Sequence, residues 1–317
     1  MSDKSSKSIS PRLIPLKDRG VIGVKGIDSV RFLQSLTTQN LEKLTPSKAL
    51  YSLLLTPQGR VFADFFILQT ENTIWLECAK ERLPALMCTL QLYCLRQDVT
   101  LEDLSDTLYV FSLFGDKTVA GDMDLLPLRG SCRFENAMDK KPNAVFVDPR
   151  LSHLGLRFIA TPKTSFLLSE WPQGKLDDYR TFCFELGIAE GVNLMPSKAM
   201  PLEYGLDKLN AIGDQKGCYV GQEVITRTQH RGIVRKHIFP ALFTGPKPDK
   251  GSGVTFNGKP VGEVIATHKT LALLRLLIKD TMVACDTKEP MLSGLTSFSP
   301  YTVSWMNLSS DLSSTFT

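Results

Sequence analysis

Between His237 and Val254 the chain carries Pro240, Gly245, Pro246, Pro248, Gly251 and Gly253. Proline removes a backbone donor and glycine costs conformational entropy, so such a stretch resists long regular elements. A chain of 317 residues also exceeds what one hydrophobic core serves. The punctuation therefore reads as a loop-rich boundary, with a small C-terminal domain starting near residue 240. Within it Val254–Phe256, the turn Asn257-Gly258 and Lys259–Thr267 predict a hairpin, because Asn-Gly meets the positive φ values of a tight turn. Leu271–Ile278 predicts a further strand, and the whole reads as a β-barrel-like domain.

N-terminal to this boundary, short strands alternate with single helices. Val21–Val24 reads as a strand. Ile27-Asp28-Ser29 opens a helix with Asp28 or Ser29 as N-cap and Val30, Phe32, Leu33 and Leu36 as apolar positions. Ala49–Leu55 and Val61–Leu68 read as strands joined by Thr56-Pro57-Gln58-Gly59, where Pro presets φ and Gly accepts positive φ. Glu71-Asn72 turns the chain into Thr73–Cys78, which completes an antiparallel meander. Glu81–Leu95 has helical spacing, with Leu83, Leu86, Met87, Leu90 and Cys94 on one face. Val99–Leu101, Leu108–Phe114, Val145–Asp148 and Gly155–Ala160 continue the β pattern, and Leu176–Leu186 reads as a helix. Hairpins alternating with single helices predict α+β layers rather than a doubly wound sheet. Met1–Ser10 and the Ser/Thr-rich stretch after Asn307 read as solvated tails.

Hydrophobic residues at 43% and charged residues at 22% are ordinary for a globular protein with a sizeable core. No apolar run approaches the roughly 20 residues of a membrane-spanning helix, so no membrane partner is expected. The first twenty residues lack an apolar signal segment. The seven cysteines, Cys78, Cys88, Cys94, Cys132, Cys183, Cys218 and Cys285, are odd in number and hold no Cys-x-x-Cys pair. Neither a disulfide framework nor a zinc ribbon is expected, and a reducing cytoplasm fits this usage. No His/Cys pair has convincing metal-ligand spacing, so no stably bound metal is expected either.

Charge is informative by position. Lys216, Arg227, Arg231, Arg235 and Lys236 stand against Glu223 alone between Lys216 and His237, which equals the whole chain's net charge of +4. Such a cluster suits an anionic partner, or a solvated strand-and-turn surface. In the same region Lys216-Gly217-Cys218-Tyr219-Val220-Gly221-Gln222-Glu223 sets a thiol beside a cation. A neighbouring ammonium favours thiolate, the nucleophilic and metal-ligating form. Gly217 and Gly221 permit sharp turning or close approach. Tyr219 offers a flat face for a heteroaromatic ring, and Gln222 an amide. The alternatives are a buried inert Cys218, a surface Lys216 and a core Tyr219. One cysteine cannot by itself hold an iron–sulfur cluster, which usually takes about four thiolates.

That eight-residue string resembles the signature of the YgfZ family, relatives of the glycine-cleavage T-protein that take part in iron–sulfur cluster assembly and repair. The flanks Pro201-Leu202-Glu203 and Arg227-Thr228-Gln229-His230-Arg231-Gly232 are similar to the branch holding the mitochondrial member and its alphaproteobacterial relatives. Phe32-Leu33-Gln34 with Thr38-Gln39, Leu55-Thr56-Pro57-Gln58-Gly59-Arg60 with Asp64, and Glu185-Leu186-Gly187-Ile188 resemble further family elements, Leu186 departing from the usual Ala. Residues from about Asp116 to Leu176 match little.

The resemblance implies an α+β, aminomethyltransferase-like (T-protein-like) folate-binding fold. Residues 11–238 would form two interleaved α+β subdomains and 239–303 the C-terminal β-barrel, with a disordered tail over 1–10 and a flexible one over 304–317. The implied cofactor is tetrahydrofolate or a one-carbon derivative. Cys218, Lys216 and Asp64 are the implied chemical residues, although this chain has Ala63-Asp64-Phe65 where the T-protein has adjacent acids. Glu185, Glu203, Tyr219, Gln222 and Arg227 or Arg231 are the implied folate contacts. A carboxylate at Glu185 suits an amino-pyrimidine edge, and a guanidinium suits the folate glutamate tail. For Glu203 a salt bridge is as consistent. The implied role is a non-enzymatic accessory factor for 4Fe-4S enzymes, including those of tRNA thiomethylation, with cluster carriers or client proteins as partners. It would work in the bacterial cytoplasm, or the mitochondrial matrix in a eukaryote. The rival is a folate-dependent aminomethyl- or methyltransferase, which the T-protein's lack of the Lys-Gly-Cys-Tyr string disfavours. A sequence pI of about 8.6 without an aromatic-rich basic motif argues against direct nucleic-acid binding.

Overall fold

The computed structural model describes residues 10–115, 130, 132–136, 142–165, 171–191, 199–230 and 234–308. They fall into two compact units, each gathered from several stretches of chain. One unit takes residues up to 54, 63–179 and 210–220, and the other takes 55–62, 180–209 and 221 onward.

The first unit contains two five-stranded sheets. One is built from β2 (Arg19–Lys25), β3 (Leu50–Leu55), β4 (Val61–Gln69), β5 (Ile74–Ala79) and β6 (Thr100–Asp103), in the order β3-β4-β5-β2-β6. The tip of the β3–β4 hairpin clusters with the second unit. The expected meander is β3-β4-β5, but β2 then inserts between β5 and β6, with Ile22 opposite both Leu76 and Asp103. β3 and β5 are buried at every position, the pattern of strands covered on both faces. The other sheet joins β1 (Arg12–Pro15), β7 (Tyr109–Phe114), β8 (Cys132–Asn136), β9 (Pro142–Val147) and β10 (Leu156–Ala160), in the order β1-β7-β10-β9-β8. Phe66 of β4 links the sheets, its ring 5.1 Å from Tyr51 of β3 and 5.8 Å from Phe146 of β9.

Two helices accompany the first sheet. α1 (Ser29–Leu36) buries Phe32, Leu33 and Leu36 and leaves Val30 exposed. Asp28 holds its N-cap position without a side-chain cap, because its carboxylate accepts from Asp98 N at 2.9 Å instead. α2 (Leu83–Tyr93) buries Leu83, Leu86 and Leu90, leaving Met87 half-buried.

The second unit carries the barrel: β11 (Lys236–Thr244), β12 (Gly253–Phe256), β13 (Lys259–His268), β14 (Leu271–Leu277), β15 (Met291–Ser293) and β16 (Thr296–Pro300). They close in the order β11-β14-β13-β12-β15-β16, and closure removes the exposed edges an open sheet would present. Phe239, Val254, Leu274, Leu276 and Phe298 lie in its core. The predicted turn is present, with Asn257 at φ 50° and Gly258 at φ 73°.

Pro240 is a correction to the loop-rich boundary, since it lies inside β11. Its carbonyl accepts from Tyr301 N, just beyond the end of β16, so the missing donor on that side breaks no ladder bond. Further α-helices among the described residues are α3 (Leu176–Glu185), α4 (Gln222–His230) and α5 (Ile278–Thr287). α3 matches its expectation. α4 lies where a strand-and-turn surface was one reading of the basic segment, and α5 begins where Leu271–Ile278 was expected to remain strand. No helix among the described residues is long and apolar enough to cross a membrane.

Candidate functional site

In the first unit the Lys-Gly-Cys-Tyr string follows a loop bound to the chain after α1. Thr38 Oγ1 donates to Ala211 O at 2.6 Å, Gly213 N to Thr38 O at 2.9 Å, and Gln39 Nε2 to Asn210 O at 2.8 Å. Lys216 Nζ then donates to Gln34 O (2.7 Å), Gln34 Oε1 (3.0 Å) and Gln39 O (2.6 Å). Burial pushes this ammonium down to about 8, with Glu42 pulling the other way. The same ammonium lies 5.7 Å above the Tyr219 ring, which is buried. Burial raises the Tyr219 phenol to about 12.

Cys218 lies between these two anchors and is exposed. That separates it from Cys78 and Cys132, both buried and pushed up to about 12 by desolvation. Burial also raises Cys94 and Cys285, the latter together with Asp286. The buried, inert reading of Cys218 therefore fails on exposure. Cys88 is exposed as well, on α2.

Asp64 sits on β4, 6% exposed, where Tyr51 OH donates to its Oδ2 at 3.2 Å. It adjoins a feature not singled out from the sequence, a buried network of three arginines and two acids between the sheets. Arg150 binds Asp148 through Nε (3.0 Å) and NH2 (2.7 Å). Arg157 bridges Asp148 and Glu77, each at 3.3 Å, and reaches Tyr179 OH at 2.9 Å. Arg19 pairs with the other side of Glu77. The guanidinium carbons of Arg157, Arg150 and Arg19 lie 4.4, 5.1 and 5.8 Å from the Phe66 ring centre. Glu77, Asp148, Arg150 and Arg157 are at most 1% exposed. The one sequence signal was an acid inside an otherwise apolar strand, since charges are almost never fully buried unless paired.

In the second unit Gly221 takes φ 81° and leads into α4. Gln222 is the first residue of that helix and half-buried; Glu223 and Arg227 follow one turn apart, both exposed. Arg231 lies outside the described residues. Glu185 ends α3 with an exposed side chain, and its backbone carbonyl accepts from Tyr301 OH at 3.1 Å. The next carbonyl, Leu186 O, accepts from Trp305 Nε1 at 2.7 Å. Partial burial raises the Glu185 carboxyl, and Lys269 lowers it. Glu203 is held by Arg275 NH1 at 2.7 Å, while Arg275 NH2 holds Glu263 at 2.5 Å. That is the salt-bridge alternative for Glu203.

Of the anticipated residues, Lys216 lies over the Tyr219 ring, Gln222 and Arg227 share α4, and Asp64 stands apart, beside the buried network. Glu185 and Glu203 occupy separate elements. Among the described residues no group of three or more His, Cys, Asp or Glu is placed to hold a metal ion.

Two sheets, single helices and a closed C-terminal barrel make up an aminomethyltransferase-like fold. The GCVT N-terminal domain model matches residues 13–120. The crystal structure of glycine cleavage system aminomethyltransferase T from Bartonella henselae superposes with a TM-score of 0.72 at 15% identity, covering 94% of this chain and 87% of that one. The mouse mitochondrial iron–sulfur cluster assembly factor IBA57 is 32% identical over 308 residues, 90% of this chain and 83% of that protein. The human protein is 30% identical over 281 residues, 82% of this chain and 76% of that protein. The chain belongs to the IBA57 family of iron–sulfur cluster assembly factors.

Proposed function

We propose that this chain is a tetrahydrofolate-binding accessory factor in the assembly, insertion or repair of iron–sulfur clusters, serving 4Fe-4S enzymes that include those of tRNA thiomethylation. Cys218 carries the reading. It is an exposed thiol on a loop anchored on both sides, by the Lys216 ammonium before it and the buried Tyr219 after it. A thiol so presented is open to a partner's cluster. The partners are cluster carriers or client proteins, and the site of action is the mitochondrial matrix in a eukaryote or the cytoplasm in a bacterium.

The residues present fit a folate. Glu185 has an exposed carboxylate at a helix end whose last carbonyls are already satisfied by Tyr301 and Trp305. Its two oxygens suit the paired donors of an amino-pyrimidine ring. Arg227 is exposed and suits the carboxylates of a glutamate tail. Glu203 and Tyr219 are less suited, the first engaged by Arg275 and the second buried against Lys216. Bound folate would supply one-carbon chemistry; the protein's part is to recognise its ring and tail.

Two experiments test this. Tetrahydrofolate titrated into the wild type and Glu185→Ala should bind the first and lose affinity in the second; absence of binding to the wild type removes the folate half. Cys218→Ser should fold normally and fail to restore cluster-enzyme activity in a strain lacking the endogenous factor. Full restoration removes the thiol half. The transferase reading draws on buried Asp64, and methylene transfer from an aminomethylated lipoyl carrier would favour it.

A further inference from the structure

Lys216 has a more specific arrangement than a cation beside a thiol. An ammonium has three protons, and here three oxygens receive them: Gln34 O, Gln34 Oε1 and Gln39 O, at 2.7, 3.0 and 2.6 Å. Gln34 O is one of the last four carbonyls of α1, which have no partner within the helix. Lys216 therefore caps α1 from a distant point in the chain, at the end where the helix dipole favours a cation.

The oxygens are themselves fixed. Gln34 Oε1 also accepts from Leu41 N at 2.7 Å, and Gln34 Nε2 donates to Asn40 Oδ1 at 2.9 Å. Gly213 brings the loop so close that a Cβ there would lie 2.6 Å from Asn40 N. From Asn210 to Lys216 the loop is thus fastened to residues 34–40. At Gly217 the surroundings open, and a Cβ there would meet nothing within 4 Å. Cys218 is the next residue.

We propose that Lys216 is a positioning residue: its ammonium caps α1 and staples residues 210–216 to the 34–40 turn, so that the chain leaves a fixed base at Gly217 and presents Cys218. It acts on the backbone: its three protons go to oxygens of residues 34 and 39, and the solvent-exposed thiol is the group it presents. The inference rests on the reading of Cys218 as the working thiol. The geometry also assigns the residue type. A compact ammonium directs three donors at converging oxygens, whereas the planar guanidinium fork of arginine cannot.

The test uses the full chain in a Cys88→Ser background, so that Cys218 is the exposed thiol followed by iodoacetamide. Lys216→Met keeps the aliphatic stem and removes the donors. Amide hydrogen exchange at residues 211–216 should accelerate by at least about tenfold. The pH midpoint of Cys218 alkylation should move by less than about half a unit, because the thiol itself is exposed and solvent screens it. Lys216→Arg should leave exchange fast, and ethylammonium added to Lys216→Ala should restore part of the protection. A midpoint raised by about one unit or more with amides 211–216 still protected would make Lys216 an activating charge and overturn the proposal. Full protection in Lys216→Arg would overturn the three-donor geometry. If the variants do not fold, the wild type suffices: the Lys216 ammonium should give a slowly exchanging 15N resonance, and free-lysine exchange overturns the staple. None of these readouts requires cluster or folate function, so failure of Cys218→Ser to impair complementation would sink the functional reading and leave the staple to be judged by exchange alone.

Discussion

Gly59 and Gly221 meet backbone to backbone. A Cβ on Gly221 would lie 3.2 Å from Gly59 Cα and 2.7 Å from Thr56 O, and both glycines have positive φ, 70° and 81°. A Cβ on Gly59 would lie 2.7 Å from Val224 Cβ. The strand turn at Thr56–Gly59 and the start of α4 are thereby fitted together by two residues without side chains. Gly221→Ala should cost about 1–3 kcal/mol, through left-handed strain and contact with main-chain oxygen. The measurement is a urea midpoint on the full chain. Gly59→Ala should act similarly, and the double variant should fall short of the sum because the two sites touch. Strict additivity would refute the direct fit.

Both of these glycines lie in strings read from the sequence, as do Gln34, Gln39 and Lys216, and their partnership shows what was legible there. Local turn chemistry and apolar spacing placed α1, the β3–β4 hairpin, α2 and the Asn257-Gly258 turn within a residue or two. What they could not convey was pairing at a distance. That Lys216 answers α1, or that β2 separates β5 from β6, depends on contacts about 50 or more residues apart, which no period of 2 or 3.6 encodes. α4 was missed because Gly221 precedes a polar helix with few apolar positions. α5 was missed because Ile278 continues the apolar run of β14 without a break. The buried network escaped for a different reason. Asp148, Arg150 and Arg157 each look like surface residues until their partners are known, and only Glu77, inside an apolar strand, gave a sign of burial.

Those partners make the network sensitive to single changes. Glu77 answers both Arg19 and Arg157, and Asp148 answers Arg150 and Arg157. Glu77→Gln or Asp148→Asn leaves buried guanidinium charge uncompensated, and each should cost about 3–5 kcal/mol. Replacing Glu77 together with Arg157 by apolar residues of similar volume should cost less than Glu77→Gln alone, since a removed pair leaves less stranded charge. Equilibrium unfolding in urea reads both. A loss below about 1 kcal/mol in Glu77→Gln would show that the charges are not interdependent.

Thiol exposure gives a direct map of the chain. Cys78 and Cys132, pushed up to about 12 by burial, hold almost no thiolate at pH 8. Brief native alkylation followed by peptide mass spectrometry should label Cys218 and Cys88 first, and Cys78 and Cys132 only after unfolding. Labelling of Cys78 at a rate matching Cys218 would contradict the packing of β5.

The end of α3 supplies a prediction in which pH has a definite sign. Partial burial raises the Glu185 carboxyl above its ordinary 4.5, with Lys269 opposing. In the window above 4.5 the folded chain then holds a proton that the unfolded chain has released, so stability falls as pH rises through the folded value. The wild type minus Glu185→Gln stability difference should therefore decline from pH 4 to pH 7, by a small amount because the group is exposed. The proposed folate recognition runs the opposite way. A protonated Glu185 offers one acceptor fewer to an amino-pyrimidine edge, so tetrahydrofolate affinity should weaken as pH falls, and Glu185→Gln should be weak and flat across the same range. Trp305→Phe, which removes the hydrogen bond to Leu186 O, should cost about 1 kcal/mol of stability and weaken folate binding without altering its pH dependence. A pH profile for folate that is identical in the wild type and Glu185→Gln would remove Glu185 from the proposed folate site.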